Sequence, residues 1–347
     1  MASIRILTWN VQNLFLPGTG EAAPDTEAAF DAKVSSLAAV IDAIRPDVAC
    51  LQEIGPGEVL QPLQGALARP LPHRAVGEPD DRGIRVAILS ALPLADVAGV
   101  AAFPDGVRPV QVRDEIFDDP TTTADEAVLG RMGRSALHAT VDVDGTAVTV
   151  LTAHFKSKLI TYDRRRGLVD GHRFAPNDEG ERLRYAGYAI FRRAAEAMTV
   201  RARVDDLLAS ADDPTVGLGR ERAVVLCGDL NDEPTAATTQ VVAGPSGSEV
   251  DLDPGSGFQR PDEGDGFRLS NLAPLLPEGQ RHTRIYRGRP ELVDHIFATH
   301  RLVNPGNLPV AGTVCSPDPL PSLDDEPHRR RNEPGSDHAA LHATFTV

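Results

Sequence analysis

The chain has 347 residues, of which 41% are apolar, so it is long enough to bury a large hydrophobic core. Its formal net charge of −15 argues against a protein that coats nucleic acid. An enzyme that meets phosphate through a metal ion and local arginines is not excluded. The three cysteines are far apart and form no CxxC pair, which indicates neither a disulfide framework nor a zinc site.

Strand-like apolar runs recur along the whole chain. They lie at 4–10, 47–54, 84–90, 136–143, 147–155, 223–230, 292–299 and 338–347. Asp144-Gly145 between the fourth and fifth runs predicts a hairpin turn. The last run alternates, which places one set of apolar side chains on one face: Leu341, Ala343, Phe345 and Val347.

Apolar residues at helical spacing predict two long helices, at 26–45 and 181–209. Pro46 ends the first. The second is expected to bury one stripe of side chains: Leu183, Ala186, Ile190, Ala194, Ala197, Val204 and Leu208. Hairpin-linked strands mixed with helices are typical of an α+β protein, in which packed sheets are covered by helices.

Four stretches rich in Pro, Gly, Asp and Arg, at about 101–134, 160–180, 241–290 and 303–335, predict long surface loops. No internal repeat or linker is evident, which favours a single domain over 1–347. The N-terminus lacks the pattern of a secretory leader, and no apolar run reaches the roughly 18 residues of a membrane span. We therefore expect a cytoplasmic protein, with a monomer as the default state.

Polar residues stand at or beside the ends of six of these apolar runs. They are Asn10, Glu53, His154, Asp229 with Asn231, Asp294, and Asp337 with His338. A buried carboxylate costs several kcal/mol unless it is paired or bound to a metal. Because strand ends from different parts of a sheet can meet at one rim, we expect these side chains to share a cleft.

The chemistry of this set is that of phosphate-ester hydrolysis. Glu53, Asp229 and Asp337 are hard oxygen ligands suited to Mg²⁺ or Mn²⁺, and Asn10 and Asn231 add amide oxygens or N–H groups that face phosphate. His154 and His338 can serve as acid, base or transition-state donor. Asp294 can pair with His338, fix its tautomer and raise its pKa. Together they fit metal-assisted attack of water on a phosphate ester.

Simpler interpretations exist for single residues. Asp229 and Asn231 are common turn residues, Glu53 can be a surface acid, and a lone histidine is usually a satisfied structural one. The functional interpretation depends on the whole set occurring together.

Seven stretches occur in the order expected for one family: "ILTWNVQNL", "RPDVACLQEI", "GIRVAILS", "TAHFKSK", "GDLNDEP", "LVDHIF" and "GSDHAALHATF". With them the chain resembles the endonuclease/exonuclease/phosphatase superfamily, which includes deoxyribonucleases, abasic-site endonucleases, inositol-polyphosphate phosphatases and sphingomyelinases. The resemblance implies a four-layer α/β/β/α sandwich of two packed mixed sheets, with helices on the outer faces and the site at one edge.

The resemblance also implies a role for each residue of the set. Glu53 would be the principal metal ligand, with Asn10 and Asp337 close to the Mg²⁺ or Mn²⁺ ion. Asp229 and Asn231 would hold the attacking water and the phosphate. His154 would lie by the scissile phosphate, and Asp294 would support His338. The base that deprotonates the water is either Asp229 or a histidine; we favour Asp229, with His338 as a phosphate-contacting donor.

Substrate contacts are expected from basic residues that follow His154. Lys156, Lys158, Arg164 and Arg165 lie in a segment, 156–203, that carries twelve Lys or Arg against six Asp or Glu. The simpler interpretation is a basic surface exposed to solvent. The competing interpretation is a positively charged surface beside the site that attracts an anionic substrate.

Three hypotheses on function follow. The first is a metal-dependent phosphodiesterase, most simply a nuclease, with nucleic acid as substrate. The second is a phosphatase or phosphodiesterase for a small phosphorylated metabolite or a lipid headgroup. The third is a non-catalytic binding protein on the same fold.

Overall fold

The structure is a computed structural model that describes residues 2–19, 23–108, 110–111, 128–159, 176–245, 266–303, 308–314, 320–323 and 327–347. Among these residues, no helix combines the length and apolar character that a membrane crossing requires.

The described residues form the following strands and α-helices, each given in chain order. The strands are β1 Ser3–Leu14, β2 Val48–Ile54, β3 His73–Val76, β4 Arg85–Ser90, β5 Ala95–Ala102, β6 Val110–Gln111, β7 Val128–Leu129, β8 Arg131–Val143, β9 Thr146–His154, β10 Ala223–Asp229, β11 Leu269–Asn271, β12 Arg284–Tyr286, β13 Arg289–Glu291, β14 Asp294–Thr299, β15 Val310–Val314, β16 Ser322–Leu323 and β17 Ala340–Thr346. The α-helices are α1 Glu27–Ile44, α2 Leu60–Ala66, α3 Glu179–Leu208, α4 Ala237–Ala243 and α5 His300–Val303.

Two six-stranded mixed sheets form the centre of the molecule. The first has the order β15-β17-β1-β2-β4-β3, and the second the order β11-β14-β10-β9-β8-β5. In the first sheet β1 and β2 run parallel while β17 is antiparallel to β1. In the second, β9 and β10 run parallel while β14 is antiparallel to β10. A small three-stranded sheet, β13-β12-β16, stands apart from both.

Three apolar layers hold the sandwich together. The middle layer packs the inner faces of the two sheets and includes Ile6, Val150 and Phe345. Helices α1 and α2 cover the outer face of the first sheet, and α3 and α4 cover that of the second. The predicted α+β class and α/β/β/α layering are therefore confirmed. The single-domain organisation over 1–347 stays a prediction.

Helix α1 begins and ends where its local sequence directs. The Thr26 hydroxyl accepts a hydrogen bond from the backbone N–H of Ala29 (3.2 Å), which satisfies one of the free donors of the first turn. Arg45 takes a left-handed conformation (φ 55°) and Pro46 follows it. Since the residue before a proline disfavours the α-helical conformation, the helix ends there.

The hairpin and the last strand are confirmed. Asp144 and Gly145 have φ values of 51° and 87°, as a tight hairpin turn between β8 and β9 requires. In β17, Leu341, Ala343 and Phe345 are buried and alternate with half-buried residues.

The stripe expected on α3 is wrong in its first half. Leu183 and Ile190 are 58% and 54% exposed, whereas Tyr185 and Tyr188 are buried. This half of the helix packs its tyrosines against β6 and β7 rather than its aliphatic side chains against the main sheet. The second half buries Ala197, Val204 and Leu208 as expected, together with others.

Three of the predicted loops include residues that form strands in the structure. The stretch 101–134 contains the start of β8, 241–290 contains β11 and most of the small sheet, and 303–335 contains the edge strand β15. Strands of three to five residues among prolines and glycines give too short a pattern to recognise. Most of 160–180 lies outside the described residues.

Candidate functional site

The polar residues at the strand ends meet at one edge of the sandwich. Strands β1, β2, β9 and β10 end there, and the antiparallel strands β14 and β17 begin there. Asp229 is directly opposite His154 on one side and Asp294 on the other in the register of the second sheet. The rim is therefore formed by parallel strands that end and antiparallel strands that start at the same level.

Asp229 lies at the centre of this group and is 1% exposed. Its Oδ1 accepts the backbone N–H of Asn231 (2.9 Å), and its Oδ2 accepts the side-chain N–H of Asn10 (3.0 Å). Asn231 also donates from its side chain to the carbonyl of Phe155 (3.1 Å), which ties this turn to the end of β9. The carboxylate is thus held in one orientation by donors from both sheets.

The position of Asp229 depends on the glycine before it. Gly228 has φ +147°, and a Cβ atom there would lie 1.9 Å from the carbonyl oxygen of Ala153 on β9. Only glycine allows β9 and β10 to approach so closely at this point. The "GD" of the sequence therefore serves the geometry of the site.

Asn10 connects Asp229 to Glu53. Its side-chain nitrogen donates to Glu53 Oε1 (3.1 Å), and Glu53 Oε2 accepts the backbone N–H of Asn13 (3.0 Å). The amide oxygen of Asn10 accepts the backbone N–H of Gln12 (3.0 Å). The side-chain nitrogen of Asn10 faces the two carboxylates and holds both in place. The role of Asn10 as a metal ligand stays a prediction.

A buried histidine–aspartate pair forms the other side of the site. His338 Nδ1 lies 2.7 Å from Asp294 Oδ2, and both residues are buried. The backbone of His338 is fixed by two bonds: its N–H donates to Ser336 Oγ (3.0 Å), and its carbonyl accepts the indole N–H of Trp9 (2.8 Å). The pair has the orientation expected from the sequence, with Nδ1 occupied and Nε2 left for other partners.

The pKa values of Asp229 and His338 are both raised inside this buried group. Burial, aided by the charge of Asp294, raises the pKa of Asp229 to about 6. Burial alone would lower the pKa of His338, but the carboxylates of Asp294, Asp229 and Asp337 together outweigh it and raise that pKa to about 10. At neutral pH the site therefore combines an ionised carboxylate of increased basicity with an imidazolium.

His154 lies beside Asp229 and is contacted by an arginine. Its Nε2 is 3.4 Å from Asp229 Oδ2, and its Nδ1 is 2.7 Å from NH1 of Arg134. Burial, followed by the positive charge of Arg134, keeps the pKa of His154 well below its ordinary value. Arg134 was not identified from the sequence, where it stands as one arginine near the start of an apolar run.

The four expected substrate contacts have different outcomes. The ammonium of Lys156 is bonded to Ser157 O, Ser157 Oγ and Leu159 O at 2.9–3.2 Å, and its contact with substrate stays a prediction. Lys158 is one-third exposed and lies 3.6 Å from Glu291. Arg164 and Arg165 lie outside the described residues.

Two further cations close to the site have no clear sequence signal. Lys33 of α1 is 2% exposed and donates to the carbonyl of Gly335 (3.2 Å). Burial lowers its pKa to about 8, while the charges of Asp337 and Glu53 act against that decrease. Arg284 of β12 bonds Glu291 through Nε (3.0 Å) and acts electrostatically on both Asp229 and Asp337. Long-range packing alone brings both side chains here.

The oxygens of the site are suited to a divalent cation. Glu53 and Asp337 are only half-buried, and among the described residues Gln12 Oε1 and Asp294 Oδ1 are buried without a hydrogen-bond partner. Asp229, Asp294 and His338 also have ligand atoms within 4.8 Å of one another. Oxygen donors of this kind fit Mg²⁺ or Mn²⁺, and buried acceptors without donors are rare unless a cation or water compensates them.

A model of the endonuclease/exonuclease/phosphatase family matches residues 7–338. The chain belongs to this family. Its members are phosphoric-ester hydrolases, and the match includes the polar residues of the rim from Asn10 to His338. No curated protein sequence matches the chain significantly.

Solved structures of endonuclease/exonuclease/phosphatase proteins share this fold. Truncated TDP2 from Caenorhabditis elegans is 14% identical with a TM-score of 0.54, covering 99% of this chain and 98% of that one. TDP2 from D. rerio in complex with a single-strand DNA product is 17% identical with a TM-score of 0.51, covering 100% of each. The mannosyl-6-phosphatase Bt3783 from Bacteroides thetaiotaomicron is 13% identical with a TM-score of 0.53, covering 99% and 100%.

Proposed function

We propose that this chain is a divalent-metal-dependent phosphodiesterase that hydrolyses nucleic acid. The observation that carries the proposal is the buried Asp229, held by donors at both oxygens, next to the His338–Asp294 pair and the half-buried Glu53. Glu53 and Asp337 would hold Mg²⁺ or Mn²⁺, which supplies charge neutralisation at the phosphoryl oxygens when bound.

The protein groups have separate roles in this proposal. Asp229 accepts the proton of the attacking water as the water oxygen bonds to phosphorus and the P–O bond in line with it breaks; the released alkoxide takes a proton from solvent. His338 carries a proton on each ring nitrogen; Nδ1–H is held by Asp294, and Nε2–H donates to a non-bridging phosphate oxygen. Asn10 and Asn231 keep Asp229 in one orientation, so that its basic oxygen is presented to the water.

A nucleic-acid substrate has support from charge and from the fold. Arg284 adds positive charge close to Asp229 and Asp337, as an anionic substrate requires. D. rerio TDP2, which shares the fold, is known in complex with single-strand DNA.

The test is hydrolysis of single-stranded DNA and plasmid DNA in Mg²⁺ or Mn²⁺, with chelator and the isosteric Asp229→Asn variant as negative controls. Asp206→Asn is the matched control, because Asp206 is an acid on the surface of α3 whose side chain is 71% exposed. Cleavage by the wild type and Asp206→Asn but not by Asp229→Asn supports the proposal. Equal cleavage by all three proteins would show a contaminating nuclease and remove the support.

A second candidate is a phosphatase or phosphodiesterase for a small metabolite or lipid headgroup. The net charge of −15 favours it, since that charge repels long polyanions, and mannosyl-6-phosphatase Bt3783 has the same fold. A panel of sugar, inositol, nucleotide and lipid phosphates separates the two. Turnover on the panel without DNA cleavage would replace the nuclease proposal.

A further inference from the structure

We propose that a cavity at the end of the sandwich opposite the rim is an anion site that binds a phosphate group. The cavity has a volume of about 300 Å³. The residues that line it are Ser3, Arg5, Arg45, Asp47, Arg69 and Thr344. Three of them are arginines and only one is an acid, although the whole chain carries a net charge of −15. The inference does not depend on the proposed hydrolysis, because none of these residues belongs to the rim.

The cavity lies far from the rim along the strands of the first sheet. Arg5 is near the start of β1, and Asn10 of the rim lies five residues further along that strand. At about 3.3 Å per residue, this separation is roughly 16 Å. On the neighbouring strand β17, Thr344 pairs with Arg5, whereas His338 precedes the start of the strand. A phosphate group in the cavity therefore does not reach the carboxylates of the rim.

The single acid of the cavity is already occupied. Asp47 Oδ1 accepts a hydrogen bond from NH2 of Arg69 (2.5 Å), and Asp47 Oδ2 accepts the backbone N–H of Arg5 (2.7 Å). Three arginines less one aspartate leave a formal charge of +2 in the cavity. This charge matches the roughly −2 that a phosphate monoester carries above its second pKa.

Two of the guanidinium groups are held in place at the C-terminal end of helix α1. Arg5 donates from NH1 to the carbonyl of Ile44. Arg69 donates from NH1 to the carbonyls of Arg45 (3.0 Å) and Pro46 (2.9 Å). Because carbonyls at a helix C-terminus lack partners within the helix, these bonds also stabilise α1. The two cations are thus fixed before any ligand arrives.

These bonds leave further donors that can face an anion. A guanidinium has five N–H groups. Arg5 uses two of them, since its Nε also donates to the hydroxyl of Thr344 (2.9 Å), and Arg69 uses three. Thr344 Oγ1 accepts from Arg5, so its own O–H remains as a donor. Charge-assisted donors from several directions suit a tetrahedral phosphate better than a planar carboxylate.

Arg45 gives the most specific indication of a ligand. Within the described part of the chain its guanidinium forms no hydrogen bond or ion pair, yet it lines the cavity. Its backbone is left-handed (φ 55°) at the end of α1, a position at which glycine is favoured. The cap itself uses only the backbone N–H of Arg45, which donates to the carbonyl of Ile41 (2.8 Å). A phosphate group between this guanidinium and the two fixed ones would explain an arginine here.

The first test measures binding of inorganic phosphate by calorimetry at about pH 8, above the second pKa of about 6 of a phosphate ester. A chelator is present, so that no metal ion at the rim takes part. We expect the wild-type protein to bind phosphate and Arg45→Gly to bind it at least about tenfold more weakly, because charge-assisted hydrogen bonds are lost. No binding to the wild type at millimolar phosphate, or equal affinity in the two proteins, would overturn the proposal.

Arg45→Gly separates binding from folding. Glycine is favoured in the left-handed conformation, so the melting temperature of this variant should equal or exceed that of the wild type. Arg287→Gly is the matched control, because Arg287 is also exposed and left-handed (φ 48°) but lies outside the cavity. It should bind phosphate as the wild type does. An equal loss of phosphate affinity in both variants would overturn the proposal.

A variant of the rim keeps this proposal distinct from the proposed hydrolysis. Asp229→Asn should abolish cleavage of DNA and retain the affinity for phosphate in the presence of chelator. If phosphate binding is lost in Asp229→Asn and retained in Arg45→Gly, the anion binds at the rim and the proposal is overturned. If the wild type fails to cleave DNA, the comparison of wild type with Arg45→Gly still decides whether the cavity binds phosphate.

The source of the phosphate group is identified with three ligands: inorganic phosphate, a nucleoside monophosphate and the same nucleoside without phosphate. Tighter binding of the monophosphate than of inorganic phosphate supports the site and assigns it to a small phosphorylated molecule. Equal binding of these two supports the site and assigns it to free phosphate. Equal binding of the nucleoside and its monophosphate would overturn the proposal, because the phosphate group would then contribute nothing.

Discussion

Replacement of Asp294 by asparagine is expected to reduce both stability and turnover. Asp294 is 0% exposed and its Oδ2 lies 2.7 Å from His338 Nδ1, so the substitution removes the charge that keeps the buried ring protonated. The pKa of His338, raised from 6.5 to about 10, reflects this charge together with those of Asp229 and Asp337. Loss of one partner from a buried ion pair costs ~3–5 kcal/mol.

The expected loss converts into a measurable shift. At about 2.1 cal/mol/K of unfolding entropy per residue, a cost of 3–5 kcal/mol over 347 residues lowers the melting temperature by about 4–7 °C. The kcat of Asp294→Asn should fall by about 10²–10⁴-fold, because neutral His338 is a weaker donor to phosphate. Asp206→Asn is the exposed control and should change neither quantity.

The dependence on pH makes this prediction specific. The folded-state pKa of His338 is raised, so the stabilisation is complete below about pH 6.5, the pKa of the unfolded state, and is lost as pH rises through 10. The difference in melting temperature between wild type and Asp294→Asn should therefore narrow from pH 6.5 to pH 10. A constant difference over this range, or a wild-type melting temperature in Asp294→Asn, would refute the reasoning.

Three further substitutions test other parts of the site. Lys33→Met removes a buried positive charge next to Glu53 and Asp337. Calorimetry should therefore show that Mn²⁺ binds about tenfold more tightly, a gain of ~1.4 kcal/mol in binding free energy. Equal or weaker binding of Mn²⁺ would contradict this prediction. Arg284→Ala removes a positive charge that acts on Asp229 and Asp337, and it should raise KM for DNA by about tenfold with less effect on kcat. An unchanged KM would show that Arg284 does not take part in substrate binding. Gly228→Ala places a methyl group 1.9 Å from Ala153 O at φ +147° and should destabilise the protein by at least about 1–3 kcal/mol. Gly65→Ala is the control and should not destabilise it, because no atom lies within 4 Å of the added methyl group. Equal melting curves for the two variants would contradict the close approach of β9 and β10 at Gly228.

The membership of the site was predictable from the sequence. Polar residues that close apolar runs must lie at a sheet edge, and hydrophobic periodicity locates those ends to within a few residues. Asn10, Glu53, His154, Asp229 and Asp294 could therefore be expected on one rim, and the structure brings them together. The pairing of Asp294 with His338 could also be expected, since an isolated buried carboxylate is costly.

The direction of individual polar atoms was not predictable. The Asn10 oxygen faces Gln12 N–H and the Lys156 ammonium faces backbone carbonyls, although both side chains lie where they were expected. Periodicity identifies the face of a strand but not the rotamer or the donor that lies opposite.

The sequence by itself determined the layers, the strands and the set of side chains that could share a site, because these follow from the local alternation of apolar and polar residues. Only the tertiary structure decided which atoms of that set face one another. It also brought in Arg134, Lys33 and Arg284, and it turned the tyrosines of α3 inward. These features depend on contacts between residues far apart in the chain, and no local pattern records such contacts.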